Sequence, residues 1–172
     1  MRIGQRSELR GQSGLLLIVA AALACAEHSQ PSQIEPPAVR PHGIVAYLVA
    51  TPAAAPNEYI VRAVARRGVA VEDPGSFVAT VRLATRNVAF ISDASDANAL
   101  RVIAPSDTAL RVAAAAPEGL ASGELFAVRL RASRAADLNS LQLEIAELND
   151  RSGASLRPTL VVLQHVSWVS SR

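Results

Sequence analysis

From residue 43 onward the chain runs in short apolar-rich stretches broken by turn residues. Residues 44–50 (Ile-Val-Ala-Tyr-Leu-Val-Ala) are rich in strand formers, and Pro52 and Pro56 close the stretch. In residues 59–66, Tyr59, Val61, Ala63 and Ala65 alternate with Ile60, Arg62, Val64 and Arg66, and the first set makes the better buried face. Asp73-Pro74-Gly75 is a turn signal. In residues 76–83, Phe77, Ala79, Val81 and Leu83 point one way and Ser76, Thr80 and Arg82 the other, the pattern of a half-buried strand. Residues 87–91 and 99–103 predict two shorter strands, with polar connections at 93–98 and 105–107. Residues 109–116 are alanine-rich enough for a helix, but their brevity between Pro105 and Pro117 favours a strand. In 124–131, Phe126, Val128 and Leu130 go inward and Arg129 and Arg131 outward. Over 138–148, Leu141, Leu143 and Ile145 share one face and Gln142 and Glu144 the other, so a period of two fits better than a helix. Asn149, Asp150 and Gly153 mark a turn, and 159–169 is the last apolar strand.

Eight or nine short strands with frequent turn signals predict an all-β, antiparallel jelly-roll or immunoglobulin-like sandwich over residues 43–172. A domain of that size buries roughly two-thirds of its unfolded surface, enough for a real core. No internal repeat is visible.

The first 42 residues have another character. Arg2, Arg6 and Arg10 precede a ten-residue apolar run, 15–24. The run is too short to span a hydrocarbon core about 30 Å thick as a helix, but it suits the apolar region of a signal peptide. The chain's one cysteine follows in Ala22-Leu23-Ala24-Cys25. This segment resembles the bacterial lipobox. The resemblance implies cleavage before Cys25, a diacylglycerol on its thiol and acylation of the new amine. Residues 1–24 are thus expected to be a lipoprotein signal peptide. Residues 25–42, with Pro31, Pro36, Pro37 and Pro41, then form the lipidated cysteine and a proline-stiffened tether. Two or three acyl chains give stable anchoring at a membrane of the cell envelope, each buried CH₂ contributing roughly 0.8 kcal/mol. No second cysteine exists, so no intrachain disulfide supports the fold.

Charge changes with this processing. All 17 basic residues are Arg, against 15 acids. Residues 1–24 hold three Arg and one acid, Glu8, so the chain from Cys25 onward carries 14 of each. A net charge of zero leaves no electrostatic footprint for nucleic acid.

Three stretches together resemble a known family. Gly75-Ser-Phe-Val-Ala-Thr-Val-Arg-Leu83 is similar to the cohesin strand G-x-F-x-x-x-L-x-Y-D-P. Residues 115–132 resemble that family's Gly-rich loop followed by G-x-L-F-x-L-x-F-x-A, here Gly123-Glu-Leu-Phe-Ala-Val-Arg-Leu-Arg-Ala132. Residues 140–153 resemble its closing strand and Asp/Gly turn. The resemblance covers about residues 57–165 and implies a nine-stranded jelly-roll sandwich shared with bacterial carbohydrate-binding modules. Cohesins bind dockerin modules through one sheet face, so the resemblance implies a protein partner of dockerin type, or a polysaccharide. The family's Tyr-Asp-Pro is replaced by Ala84-Thr-Arg-Asn87, and no binding residue is carried over.

Catalytic chemistry has no foothold in the pattern, and the chain reads as a non-enzyme without cofactor, metal site or catalytic residues. His28, His42 and His165 share no ligand spacing, and no G-x-S-x-G elbow or P-loop occurs. Asp93 with Asp96, and Asn149 with Asp150, suit turn chemistry better than Ca²⁺, which takes more oxygen ligands. Arg62, Arg66, Arg82, Arg129 and Arg131 fall on outward positions. They would line a basic face if their strands were neighbours, though a solvated face balanced by acids is the better reading. Sugar binding usually wants an exposed aromatic platform. Phe77, Phe90, Phe126 and Tyr59 are in phase with the core, which leaves only Tyr47 and Trp168. The reading is a non-catalytic envelope lipoprotein with a cohesin-like binding module. The alternatives are a structural envelope-assembly lipoprotein without a ligand and an accessory to polysaccharide degradation.

The anchor has a direct test. Cys25→Ala is expected to move the protein out of the detergent phase in a phase-partitioning assay; partitioning that stays the same would remove the lipid.

Overall fold

The computed structural model describes residues 37–96, 99–120 and 123–169. The signal-peptide and lipidation readings, Cys25 and His28 included, lie outside these residues. The described chain forms nine strands: β1 (Ile44–Pro52), β2 (Glu58–Arg67), β3 (Pro74–Arg82), β4 (Val88–Asp93), β5 (Leu100–Pro105), β6 (Ala109–Ala115), β7 (Glu124–Ala132), β8 (Gln142–Asp150) and β9 (Leu160–Trp168). They make a five-stranded sheet in the order β4-β7-β2-β1-β9 and a four-stranded sheet in the order β5-β6-β3-β8. All pairings are antiparallel except that of the first and last strands, β1 and β9, which run parallel. No described helix is long and apolar enough to cross a membrane.

The alternation explains the two layers. Ile44, Ala46, Leu48 and Ala50 of β1, Val61, Ala63 and Ala65 of β2, and Phe126, Val128 and Leu130 of β7 turn one way from the five-stranded sheet and are buried. Phe77, Ala79 and Val81 of β3, Leu110 and Val112 of β6, and Leu143 and Ile145 of β8 meet them from the other sheet. Phe77 and Phe126 stack across the middle, ring centroids 6.0 Å apart and planes 25° apart. Leu125 and Ala127 are buried too, so β7 is less one-sided than its alternation predicts.

Local departures from alternation have local causes. The expected turn at residues 73–75 is partly strand, because Pro74 and Gly75 open β3 with a register shift against β8. A Cβ on Gly75 would lie 2.7 Å from Arg151 Cα and 2.8 Å from Asp150 O, so only glycine fits this bulge. A second shift leaves Ala146 of β8 without a partner and brings Leu148 back inside. The last strand but one starts at Gln142, not at Leu138, because Ala135–Ser140 is a 3-10 turn. The Asp137 carboxylate accepts the Arg134 N–H at 3.0 Å and fixes that turn, whose period of three buries both Leu138 and Leu141.

The start of the domain is tied down by backbone. The Ala70 N–H donates to Pro41 O at 3.0 Å and the Gly68 N–H to Gly43 O at 2.9 Å, so residues 41–43 lie against the β2–β3 connection. A Cβ on Gly68 would fall 2.1 Å from Arg40 O and 2.2 Å from Pro41 O.

Two stability tests follow. Gly68→Ala is expected to cost about 1–3 kcal/mol by forcing these two segments apart, read by urea denaturation; an unchanged midpoint would mean that the contact yields freely. Phe126→Ala is expected to cost about 3–5 kcal/mol, several times more than a surface change such as Arg131→Ala.

Candidate binding face

The outer surface of the four-stranded sheet is the least ordinary surface of the molecule. Register sets it out in rows running β5, β6, β3, β8. Leu100, Ala115, Ser76 and Asn149 form one row, Val102, Ala113, Val78 and Glu147 the next, and Ala104, Arg111, Thr80 and Glu144 the third. The β5–β6 side is apolar and exposed, with Leu100 at 78% and Val102 at 68% relative exposure. A shallow hollow of about 310 Å³ lies beside them, lined in part by Ser76, Val78, Ala113 and Glu147. The β8 side is polar: Glu147 is exposed, and Arg82 Nη2 meets Glu144 Oε2 at 3.0 Å with both side chains largely in solvent. Such a solvated pair contributes little stability. The face can therefore offer apolar contact along one side and charge along the other, and it holds no group poised for bond chemistry.

Strand β5 gets this surface by turning its pattern over. Arg101 points into the sandwich, its side chain 8% exposed, while Leu100 and Val102 point out. Arg101 Nη1 reaches Asp93 Oδ2 at 3.1 Å, and Nη2 donates to Asp96 O at 3.1 Å. Asp93 ends β4 in the other sheet, and among the described residues this is the only strand-to-strand ion pair that joins the two sheets. Asp93 Oδ1 accepts the Ser95 N–H at 2.9 Å and hydroxyl at 2.7 Å, and the Ala127 N–H donates to Ser95 Oγ at 2.7 Å. Burial pushes the Asp93 carboxyl up, but the Ser95 bonds and Arg101 outweigh it and hold the group below the usual aspartate range. Nearby Glu124, paired with Arg62 Nε at 3.2 Å, is pushed up by burial, opposed by Arg62, with Asp96 adding to the rise.

The residues singled out in the sequence fall elsewhere. Arg62, Arg66, Arg129 and Arg131 do share neighbouring strands, β2 and β7, while Arg82 sits on the other sheet. Glu58 meets Arg131 at 3.0 Å and Arg129 at 3.9 Å, and Glu124 meets Arg62, so the row is balanced by acids. Asp150 Oδ1 accepts from the Ser152 hydroxyl and N–H and the Ala154 N–H, which is turn chemistry, and these bonds lower its pKa. Among the described residues no group of three or more His, Cys, Asp or Glu is placed to hold a metal. His42 is exposed and His165 half-buried on β9. The terminal strands carrying Tyr47 and Trp168 do pair, yet both rings are buried, at 5% and 9% exposure. Trp168 meets Tyr59 edge-on at 5.8 Å and donates from Nε1 to Asn139 Oδ1, so no sugar platform forms there.

No family model and no curated protein matches the chain. Solved structures do. A cohesin in a type I cohesin–dockerin complex from Clostridium thermocellum is 12% identical, with a TM-score of 0.51, covering 74% of this chain and 99% of that one. The sixth cohesin of scaffoldin B from Acetivibrio cellulolyticus, solved with a dockerin, is 13% identical, with a TM-score of 0.52, covering 75% and 99%. The chain has a cohesin-like fold.

The carboxylates at the sandwich edge predict opposite pH trends. The lowered pKa values of Asp93 and Asp150 give stability that is present above the usual aspartate range and lost as pH falls through their folded values, below about pH 4. The raised Glu124 gives stability that is present at low pH and lost as pH rises through its folded value. Glu124→Gln removes that loss. Its Tm relative to wild type should therefore climb between about pH 4 and pH 7; a flat or falling difference would contradict the raised value.

Proposed function

We propose that the chain is a non-catalytic envelope lipoprotein whose cohesin-like domain binds a protein partner through the outer face of the four-stranded sheet. The observation that carries the reading is the exposed apolar strip of Leu100 and Val102, flanked by Ala113, Ala115 and Val78, on a regular, open sheet. Contiguous apolar surface on a soluble domain marks an interaction site. The acids of β8 and Arg111 of β6 border the strip and would set orientation and exclude mismatched partners. A dockerin-type module is the favoured partner, because the solved structures of the same fold include cohesins in complex with dockerins. Protein is favoured over polysaccharide because Tyr47 and Trp168, the two rings a sugar would need, are buried. The lipobox resemblance at Cys25 supports anchoring by acyl chains, with the proline-rich segment as spacer.

Calorimetric titration with dockerin-type modules from the same genome tests this reading. Ala113→Glu, in the middle of the face, is expected to weaken binding at least tenfold, about 1.4 kcal/mol, while Arg131→Ala on the opposite sheet leaves it unchanged. Equal effects of the two changes, or binding to polysaccharide alone, would refute it.

A further inference from the structure

A sandwich of two open sheets has four edge strands, here β4, β9, β5 and β8. Unprotected edges invite pairing with other chains, and bulges are one way that proteins blunt them. Three of the four carry a register shift: β4 between Phe90 and Ser92, β8 at two places, and β9 opposite Ala46–Leu48. In addition, Gln164 Nε2 of β9 donates to Leu143 O of β8 at 2.8 Å, tying those two strands together where they meet. Strand β5 has no such feature, and its six pairs with β6 run without a shift. Its outward side chains, Leu100, Val102 and Ala104, carry no charge and are exposed.

Among the described residues the backbone of β5 has no partner on its outer side either. Just beyond the strand, the Ser106 N–H donates to Ala109 O at 2.8 Å. Alternation along an antiparallel pair then gives the β6 bonds to Leu100, Val102 and Ala104. The N–H and C=O groups of Arg101 and Ile103 face the free edge. Pro105 falls at the next outward position, where its missing N–H deprives β6 of nothing.

From this edge we infer that β5 pairs antiparallel with β5 of a second copy of the chain, joining two four-stranded sheets into one of eight. The strand is complementary to itself. With Val102 on the twofold axis, Arg101 faces Ile103 of the second copy on both sides, and their outward groups make four N–H···O bonds. Val102 then meets Val102 of the second copy at a non-hydrogen-bonded position, where side chains lie closest. Leu100 lies opposite Ala104 of the second copy, long against short. The inward Arg101 guanidinium is held by its own chain's Asp93 and does not repel the other copy's. The balance of 14 Arg and 14 acids from Cys25 onward leaves little net charge to oppose association. The contact is isologous and closes at two copies. It uses the strand's edge but shares the Leu100 and Val102 side chains with the proposed partner-binding strip, so it is tested by self-association in the absence of any partner.

A thiol on the axis tests the pairing. In the full chain with Cys25→Ala, which removes the one native thiol, Val102→Cys is expected to oxidise to a disulfide-linked dimer at least tenfold faster than Val69→Cys. Val69 is 93% exposed in a loop and sets the rate of chance collision. Equal rates would overturn the inference. Sedimentation of the Cys25→Ala chain should show a dimer fraction that rises with concentration and is abolished by Val102→Arg with unchanged circular dichroism. A parent that stays monomeric at every concentration would overturn it, and if Val102→Arg fails to fold, the thiol rates decide.

Discussion

Two phenylalanine rings, one from each sheet, stack across a core that is mostly aliphatic and rich in alanine, with Trp168, Tyr59 and Phe90 as its other aromatic members. The chain is 50% hydrophobic but only 3% aromatic, and no disulfide is available to staple the layers. The Phe77–Phe126 stack is therefore where the sheets grip, adding about 0.5–1.5 kcal/mol beyond the area it buries. Its larger effect is on parity. A one-residue slip in a strand sends every side chain to the opposite face. With Phe77 inside, Ser76, Val78 and Thr80 must face out, and the registers of β6 and β8 against β3 carry that choice across the sheet. The candidate face is the far side of the same decision that builds the core.

That dependence also explains what could be read from the chain beforehand. The eight or nine strands expected from the chain correspond to the nine observed: alternation marked β2, β3, β7 and β8, because a period of two survives ignorance of strand order, and strand formers and turn signals marked the others. It failed where a local bond competes with the pattern. The Asp137 carboxylate helps convert Ala135–Ser140 into a 3-10 turn, and Leu138 within it and Leu141 just after it are buried at a spacing that a strand would not use. Bulges at Gly75 and Ala146 reset parity inside otherwise regular strands. The parallel β1–β9 pair joins the two ends of the domain, and nothing local in either strand announces its partner. The carbonyl groups of Pro41 and Gly43 are held by backbone bonds from Ala70 and Gly68, which carry no compositional signal.

The site was less legible than the fold for a related reason. Outward arginines are conspicuous in a sequence, yet Arg62, Arg129 and Arg131 meet Glu58 and Glu124 on neighbouring strands, so the conspicuous charge is already answered. Exposed apolar residues on an edge strand are inconspicuous, because the pattern assigns them to the core. Reading β5 by polarity alone would place Leu100 and Val102 inside and Arg101 outside, the reverse of the structure.

The reversal has an energetic meaning. Burying a valine or leucine side chain is worth roughly 1.5–3 kcal/mol, and β5 leaves both Leu100 and Val102 mostly exposed. It also takes a guanidinium into the sandwich, which costs several kcal/mol unless the charge is paired and hydrogen-bonded. Asp93, itself held by Ser95, and the carbonyl of Asp96 take up Nη1 and Nη2 and offset part of that cost, while Nε is buried with no hydrogen-bond partner among the described residues. The other parity would bury two apolar side chains and release the charge to solvent, at the expense of Ile103, which is packed against the core in the observed arrangement. For the isolated domain the observed parity gains one partly buried isoleucine and one ion pair, and gives up a leucine and a valine. Covering the apolar strip and the regular edge beside it would return the burial that this parity forgoes, which is why β5 is the strand on which both proposed contacts converge.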